Sequence, residues 1–154
     1  NDNSNIYNNP ILNNTLQYEN ITQYMETFLH RITIWKTEIY NLINEVYKKE
    51  NIIAGYGASG RTNIILSLLQ KKFDLIFDDS KYKINNYIPL FHTQILNSDE
   101  IYNNDIKTIF ILAWPYSKYI IQKHKRFIES GGKFIIILPN ITEITKENYN
   151  TFIN

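Results

Sequence analysis

Residues 51–61 read Asn51-Ile52-Ile53-Ala54-Gly55-Tyr56-Gly57-Ala58-Ser59-Gly60-Arg61, and the reading of this stretch decides the fold. A short apolar run leads into Gly55-Tyr56-Gly57-Ala58-Ser59-Gly60, a G-x-G-x-x-G match, and a helical pattern from Arg61 to Gln70 follows at once. Glycines at such a turn let a strand give way sharply to a helix and let a ligand come close to the main chain. The free N–H groups at the helix start favour a phosphate or carboxylate. The next apolar run, Phe73 to Asp78, ends in Asp78 and Asp79. That is about 20 residues past the turn, where such units commonly place an acid on a ribose hydroxyl. Strand, turn, helix and acid therefore stand in the order of a nucleotide site. The competing explanation is that the glycines only permit tight packing of strand on helix, because fold alone does not fix function.

Working outward, the runs Thr93 to Leu96, Thr108 to Ala113 and Lys133 to Leu138 also read as strands, five in all with the two above. A short turn near Ser98 to Tyr102 and a helix from Tyr116 to Ser130 separate them. Strands that are apolar on both faces and alternate with helices require a sheet covered on both sides. The expected fold is α/β: a Rossmann-like, doubly wound, mainly parallel five-stranded sheet. Gly131-Gly132 supplies a helix stop before the last strand, and Pro139 ends that strand. Upstream, Ile21, Tyr24, Met25, Phe28, Leu29, Ile32, Trp35, Ile39, Leu42, Ile43, Val46 and Tyr47 recur at three- and four-residue steps. They predict one long amphipathic helix over residues 18–49 whose apolar stripe is core or interdomain packing. Residues 1–17, rich in Asn, read as a polar tail or linker. Residues 18–154 form the domain, with its βαβ-type core over 51–139.

At 154 residues and 44% hydrophobic content, the chain has material for one core. Sixteen basic residues against fifteen acidic ones give a formal charge of +1, so no strong global field attracts nucleic acid or an anionic membrane. The absence of cysteine removes disulfides, thiolate nucleophiles and cysteine-based zinc sites, and fits a reducing, cytoplasmic compartment. No aliphatic run approaches the roughly 20 residues needed to cross a bilayer. The chain opens on Asn1 without a signal-type apolar segment, which suggests an excised fragment. His30, His92 and His124 are too far apart in sequence to suggest a metal site, and neither a nucleophile elbow nor a P-loop is present. Arg61 could fork onto a phosphate, or be a solvated arginine at a helix start. His92, in an expected loop, has no spaced partner and reads more readily as structural than catalytic. Trp114-Pro115 follows the fourth strand at the carboxyl edge, where open α/β sheets bind ligands, so Trp114 either lines a pocket or packs. The scattered lysines and Arg126 read as a solvated face.

Taken together, Ala54 to Arg61 with Asn63, then Asp78-Asp79, Lys83, Tyr87, Pro89, His92, Ala113-Trp114 and Gly131-Gly132-Lys133 resemble the C-terminal domain of SAM-dependent sugar C-methyltransferases. The resemblance runs from about residue 20 to 141 and includes the long helix leading into the domain. Departures from that pattern fall at Asn85 and Leu90, where glycine is usual, at Lys81, where proline is frequent, and at Tyr119, where an acid is common. The resemblance implies a domain that helps to enclose a nucleotide sugar while S-adenosylmethionine is held by a separate upstream methyltransferase domain. No metal is implied, and catalytic residues of this chain stay unassigned. The expected ligand-binding residues are Tyr56, Gly57, Ala58, Ser59, Gly60, Arg61, Asn63, Asp78, Asp79, Lys83, His92 and Trp114. Expected partners are the nucleotide sugar, the upstream domain and a second copy meeting through the long helix, with neither nucleic acid nor membrane. Two other readings stand beside this one. In one, the glycine turn itself binds S-adenosylmethionine or NAD(P), making a small autonomous enzyme. In the other, the chain is an assembly module without a ligand.

Overall fold

The computed structural model describes residues 10–154, with side chains from Asn20 onward. Two compact units emerge, Asn1–Glu38 and Ile39–Asn154, and the helix α1 (Pro10–Glu50) contributes to both. Its backbone is helical from Pro10, ahead of the expected start at residue 18, while residues 1–9 of the expected tail lie outside the described residues. In the first unit Ile21, Tyr24, Met25, Phe28, Leu29 and Ile34 are all exposed. In the second, Ile39, Ile43 and Val46 are buried, so the apolar stripe becomes core only in its last turns. Burying an aliphatic side chain of this size contributes about 1.5–3 kcal/mol. The end of α1 is tied down by Glu50, whose carboxylate accepts the N–H groups of Lys107 and Thr108, both at 3.0 Å, and the Thr108 hydroxyl.

The second unit is built on β1 (Ala54–Tyr56), β2 (Leu75–Asp78), β3 (Tyr87–Ile88), β4 (Thr93–Asn97), β5 (Thr108–Ile111), β6 (Lys133–Ile136) and β7 (Thr142–Ile144). They form one sheet in the order β3-β4-β2-β1-β5-β6-β7. The inner strands β4, β2, β1, β5 and β6 pair in parallel, and the two outer strands pair antiparallel. The expected doubly wound α/β fold is what forms, with a sheet of seven strands where five were expected. The additional pair, β3 and β7, are edge strands of two and three residues, too short to carry a period in sequence. Numbered along the chain, the parallel strands lie in the order 3-2-1-4-5, so the chain reverses its direction of winding between β1 and β5. Ligands of open α/β sheets bind outside the carboxyl ends of the strands at that reversal.

Helices α2 (Gly60–Leu69), α3 (Ser117–Lys123), α4 (Lys125–Glu129) and α5 (Tyr149–Ile153) complete the unit, with 3-10 turns at Ser98–Asn103 and Trp114–Tyr116. The single helix expected over 116–130 is divided: His124 sits at φ −103 and ψ 31, outside the α region, and separates α3 from α4. The core is aromatic and aliphatic, with Phe73, Phe77, Phe110 and Phe134 fully buried. Phe73 meets Phe110 edge to face at 5.7 Å between ring centroids. Among the described residues no helix is long and apolar enough to cross a membrane.

Candidate functional site

A cleft of about 430 Å3 opens at the carboxyl ends of β1, β2 and β5. The first turn bounds it with Tyr56, Gly57, Ser59 and Arg61, and the segment closing β2 with Asp78, Asp79, Ser80 and Lys83. Ala113, Tyr116, Tyr119 and Ile120, after β5, complete it. The turn can exist only with glycine at position 57. Its φ is +107, and a Cβ there would fall 2.4 Å from the Ala113 Cβ and 2.9 Å from the Ala113 nitrogen. Gly60 differs: its φ is not positive, and a Cβ would meet nothing within 4 Å. Space above the start of α2 is therefore open.

The donors of this turn are largely committed within the protein. Gly57 donates its N–H to the Phe77 carbonyl at 2.7 Å, and Ala58 donates to Asp78 Oδ2 at 2.7 Å. Ser59 and Thr62 cap α2 reciprocally, each backbone N–H donating to the other's hydroxyl oxygen. Among the first-turn amides, those of Gly60 and Arg61 are the ones left over for an outside acceptor. Asp78, one of the two expected acids, is buried and spoken for. Besides Ala58 it accepts the Ser80 N–H on Oδ1 at 2.8 Å and the Lys83 ammonium at 3.1 Å. It holds the turn together.

Asp79 is arranged in the opposite way. Tyr56 Oη donates to its Oδ1 at 2.8 Å, Lys123 Nζ at 2.6 Å, and the Ser98 hydroxyl donates to the same oxygen. Among the described residues no donor reaches Oδ2, and about a third of the side chain is exposed. Burial acts to raise the pKa of this carboxyl, but the hydrogen bonds from Lys123, Ser98 and Tyr56 outweigh it and hold it below the ordinary value. Behind Asp79 lies a polar row in which Tyr56 and His124 are buried and Tyr102 is partly exposed. The Tyr56 hydroxyl is 3.2 Å from His124 Nε2, and Tyr102 Oη is 3.1 Å from His124 Nδ1. His124 is 1% exposed, and burial first, then the charge of Lys123, press its pKa below the usual histidine value. Burial likewise drives the Tyr56 phenol far above its ordinary range.

Of the expected ligand residues, Tyr56, Gly57, Ser59, Arg61, Asp78, Asp79 and Lys83 line the cleft. Gly60 stands at its edge with open space above, and Ala58 contributes only its committed N–H. Trp114 packs partly into the core with the Arg61 guanidinium 5.8 Å above its ring. Asn63 lies elsewhere, in a shallow hollow with Ile64, Ser67, Leu68, Pro89 and Leu90, and His92 is exposed at a turn with φ +51. Sequence reasoning did not nominate Ser80, Ser98, Tyr102, Tyr116, Lys123 or His124 as ligand residues, and Ala113 and Tyr119 entered the family resemblance without being assigned to the site. The tyrosines at 116 and 119 follow the end of β5, so the carboxyl-edge position that singled out Trp114-Pro115 was the signal that could have found them. Among the described residues no group of three or more His, Cys, Asp or Glu side chains could hold a metal.

Comparison with known proteins bears out the family resemblance read from the sequence. The C-methyltransferase NovU of Streptomyces niveus is 26% identical over 116 residues, which is 73% of this chain and 28% of that protein. The chain thus spans little more than a quarter of that relative's length. A solved structure, UDP-D-quinovosamine 4-dehydrogenase from Vibrio fischeri, is similar over 63% of this chain and 95% of its own at a TM-score of 0.45 and 16% identity. The family model for the C-methyltransferase C-terminal domain matches residues 13–139. The chain belongs to the C-methyltransferase C-terminal domain family.

Proposed function

We propose that this domain binds a nucleotide-linked sugar in the cleft between β1 and β5 and presents it to the methyl-transferring part of a larger SAM-dependent enzyme. The observation that carries the reading is Asp79, a carboxylate whose Oδ1 is saturated by protein donors while Oδ2 takes none. Such an acid suits a sugar or ribose hydroxyl, which donates one proton and accepts readily in turn. Arg61, exposed above the open start of α2, supplies a cation for a diphosphate, and the exposed rings of Tyr116 and Tyr119 offer flat apolar surface at the rim. The contribution is positional, lowering the entropy cost of bringing acceptor and donor together.

The commitments of the turn weigh against S-adenosylmethionine as a ligand of this chain. The amides of Gly57, Ala58 and Ser59 are already bonded inside the protein and have nothing to offer a donor's polar groups. We therefore place the methyl donor on another part of the enzyme, and the same commitment weighs against an autonomous NAD(P) enzyme. Titration calorimetry with UDP-glucose, dTDP-glucose and S-adenosylhomocysteine tests the reading. Heat with a nucleotide sugar, reduced by Asp79→Asn, is the expected result. Tight binding of S-adenosylhomocysteine with no response to either nucleotide sugar would overturn it.

A further inference from the structure

We propose that Tyr102, His124 and Tyr56 form a hydrogen-bond chain of fixed direction that ends on Asp79 Oδ1, holding His124 as the Nε2–H tautomer. In this role His124 is a positioning residue: it keeps Tyr56 donating to Asp79 and leaves Oδ2 as the oxygen that receives a ligand hydroxyl.

The direction follows by elimination. Asp79, kept ionised by its three donors, has no proton to give, so the 2.8 Å contact with Tyr56 requires the phenol to donate. A phenol has one proton. With that proton spent, Tyr56 Oη can only accept across the 3.2 Å contact to His124, so Nε2 must carry hydrogen. A buried imidazole that stays neutral has a single ring proton, which leaves Nδ1 bare and makes Tyr102 Oη the donor at 3.1 Å. Every link then has one donor and one acceptor. Burial is the main reason the ring stays neutral, and the charge of Lys123, its neighbour in sequence, adds to it. The carboxylates of Asp79, reached through Tyr56, and of Asp99 pull the other way and are outweighed. The Arg126 guanidinium stands 5.4 Å over the Tyr102 ring.

The break between α3 and α4 falls at His124, the residue whose ring meets both tyrosines. Tyr102 comes from the 3-10 turn after β4 and Tyr56 from the end of β1, so three separate segments meet in one row.

The test has two arms. In the first, ring nitrogens of the 15N-labelled chain are observed by long-range proton–nitrogen NMR at neutral pH. With only three histidines present, the His124 signals are assigned by their loss in His124→Gln. The expected pattern is a protonated Nε2 with a bare Nδ1; Tyr56→Phe, which removes the acceptor of the Nε2 proton, should erode that preference, whereas Tyr102→Phe should leave Nε2 protonated. A protonated Nδ1, or a doubly protonated ring, would overturn the proposal. This arm needs no ligand, so it stands apart from the nucleotide-sugar reading on which the Oδ2 assignment rests. In the second arm the nucleotide sugar that binds the parent chain is titrated against His124→Gln and His124→Phe. Glutamine can donate to Tyr56 and accept from Tyr102 and should bind within about threefold of the parent, whereas phenylalanine should weaken binding about five- to tenfold, the scale of one lost hydrogen bond. Equal loss in both variants would refute the positioning role. If no nucleotide sugar binds the parent, the proposed function and the Oδ2 assignment fall, and the first arm still decides the direction of the chain.

Discussion

Two adjacent acids should respond in opposite ways to the same substitution. Asp78→Asn replaces a carboxylate that accepts the buried Ala58 N–H at 2.7 Å on one oxygen and the Ser80 N–H at 2.8 Å on the other. An asparagine oxygen can keep one of these, and its NH2 then confronts the second donor. The loss is one charge-assisted bond plus an unpaired amide, together about 2–4 kcal/mol. The Lys83 ammonium, 42% exposed, adds little. With a urea dependence of about 1–3 kcal/mol per molar, the midpoint should fall by on the order of 1–2 M. In Asp79→Asn the amide oxygen takes the place of Oδ1 and retains donors from Tyr56, Ser98 and Lys123, while the NH2 faces the cleft. Stability should change by less than about 1 kcal/mol because the site is partly solvated, yet nucleotide-sugar binding should fail because an acceptor has become a donor. Urea unfolding followed by circular dichroism, with calorimetric titration of the same samples, measures both. Equal destabilisation in the two variants, or an Asp78→Asn chain within about 0.5 kcal/mol of the parent, would refute the division of labour.

Gly57→Ala forces a side chain into a left-handed conformation and onto Ala113, so it should destabilise by about 2–4 kcal/mol or prevent folding. Gly60→Ala, by contrast, should leave the melting temperature nearly unchanged. His124 has a folded pKa below its ordinary 6.5, so below that pH the unfolded chain takes up a proton that the folded one refuses. Stability should therefore fall as pH drops from 7 toward 5, and His124→Gln should flatten that slope in urea titrations at stepped pH. Arg61→Ala should weaken nucleotide-sugar binding by about tenfold at low ionic strength, with the difference shrinking as salt is added.

The parallel core was legible because its information is local: apolar runs of four to six residues, a glycine turn and an acid at the right distance announce themselves without knowledge of neighbours. The edge strands were not, since Tyr87–Ile88 and Thr142–Ile144 are strands only through pairing with β4 and β6. The break at His124 carries no glycine or proline, and nothing in the flanking Lys123 and Lys125 marks it. At the site, spacing could nominate Asp78 and Asp79 together but could not separate them. What distinguishes them is which backbone donors each meets, and that depends on how the turn at Gly57 folds back over β2. The polar row was invisible for the same reason. Tyr56, Tyr102 and His124 lie 46 and 22 positions apart along the chain, and each alone reads as an ordinary core or surface residue.

The outer strands have a consequence for how the molecule behaves when crowded. An incoming strand that sought to extend the sheet would find two residues of open backbone along β3 and three along β7. At β7 it would also meet Glu143, paired with Lys133 at 2.8 Å. Such short, charged margins offer too little main chain for sheet-to-sheet growth. The apolar rings and aliphatic groups of the first unit's helix carry most of the risk of self-association, so concentrated samples should be lost through side-chain stickiness, which detergents relieve, rather than through fibrous polymers seeded from the sheet.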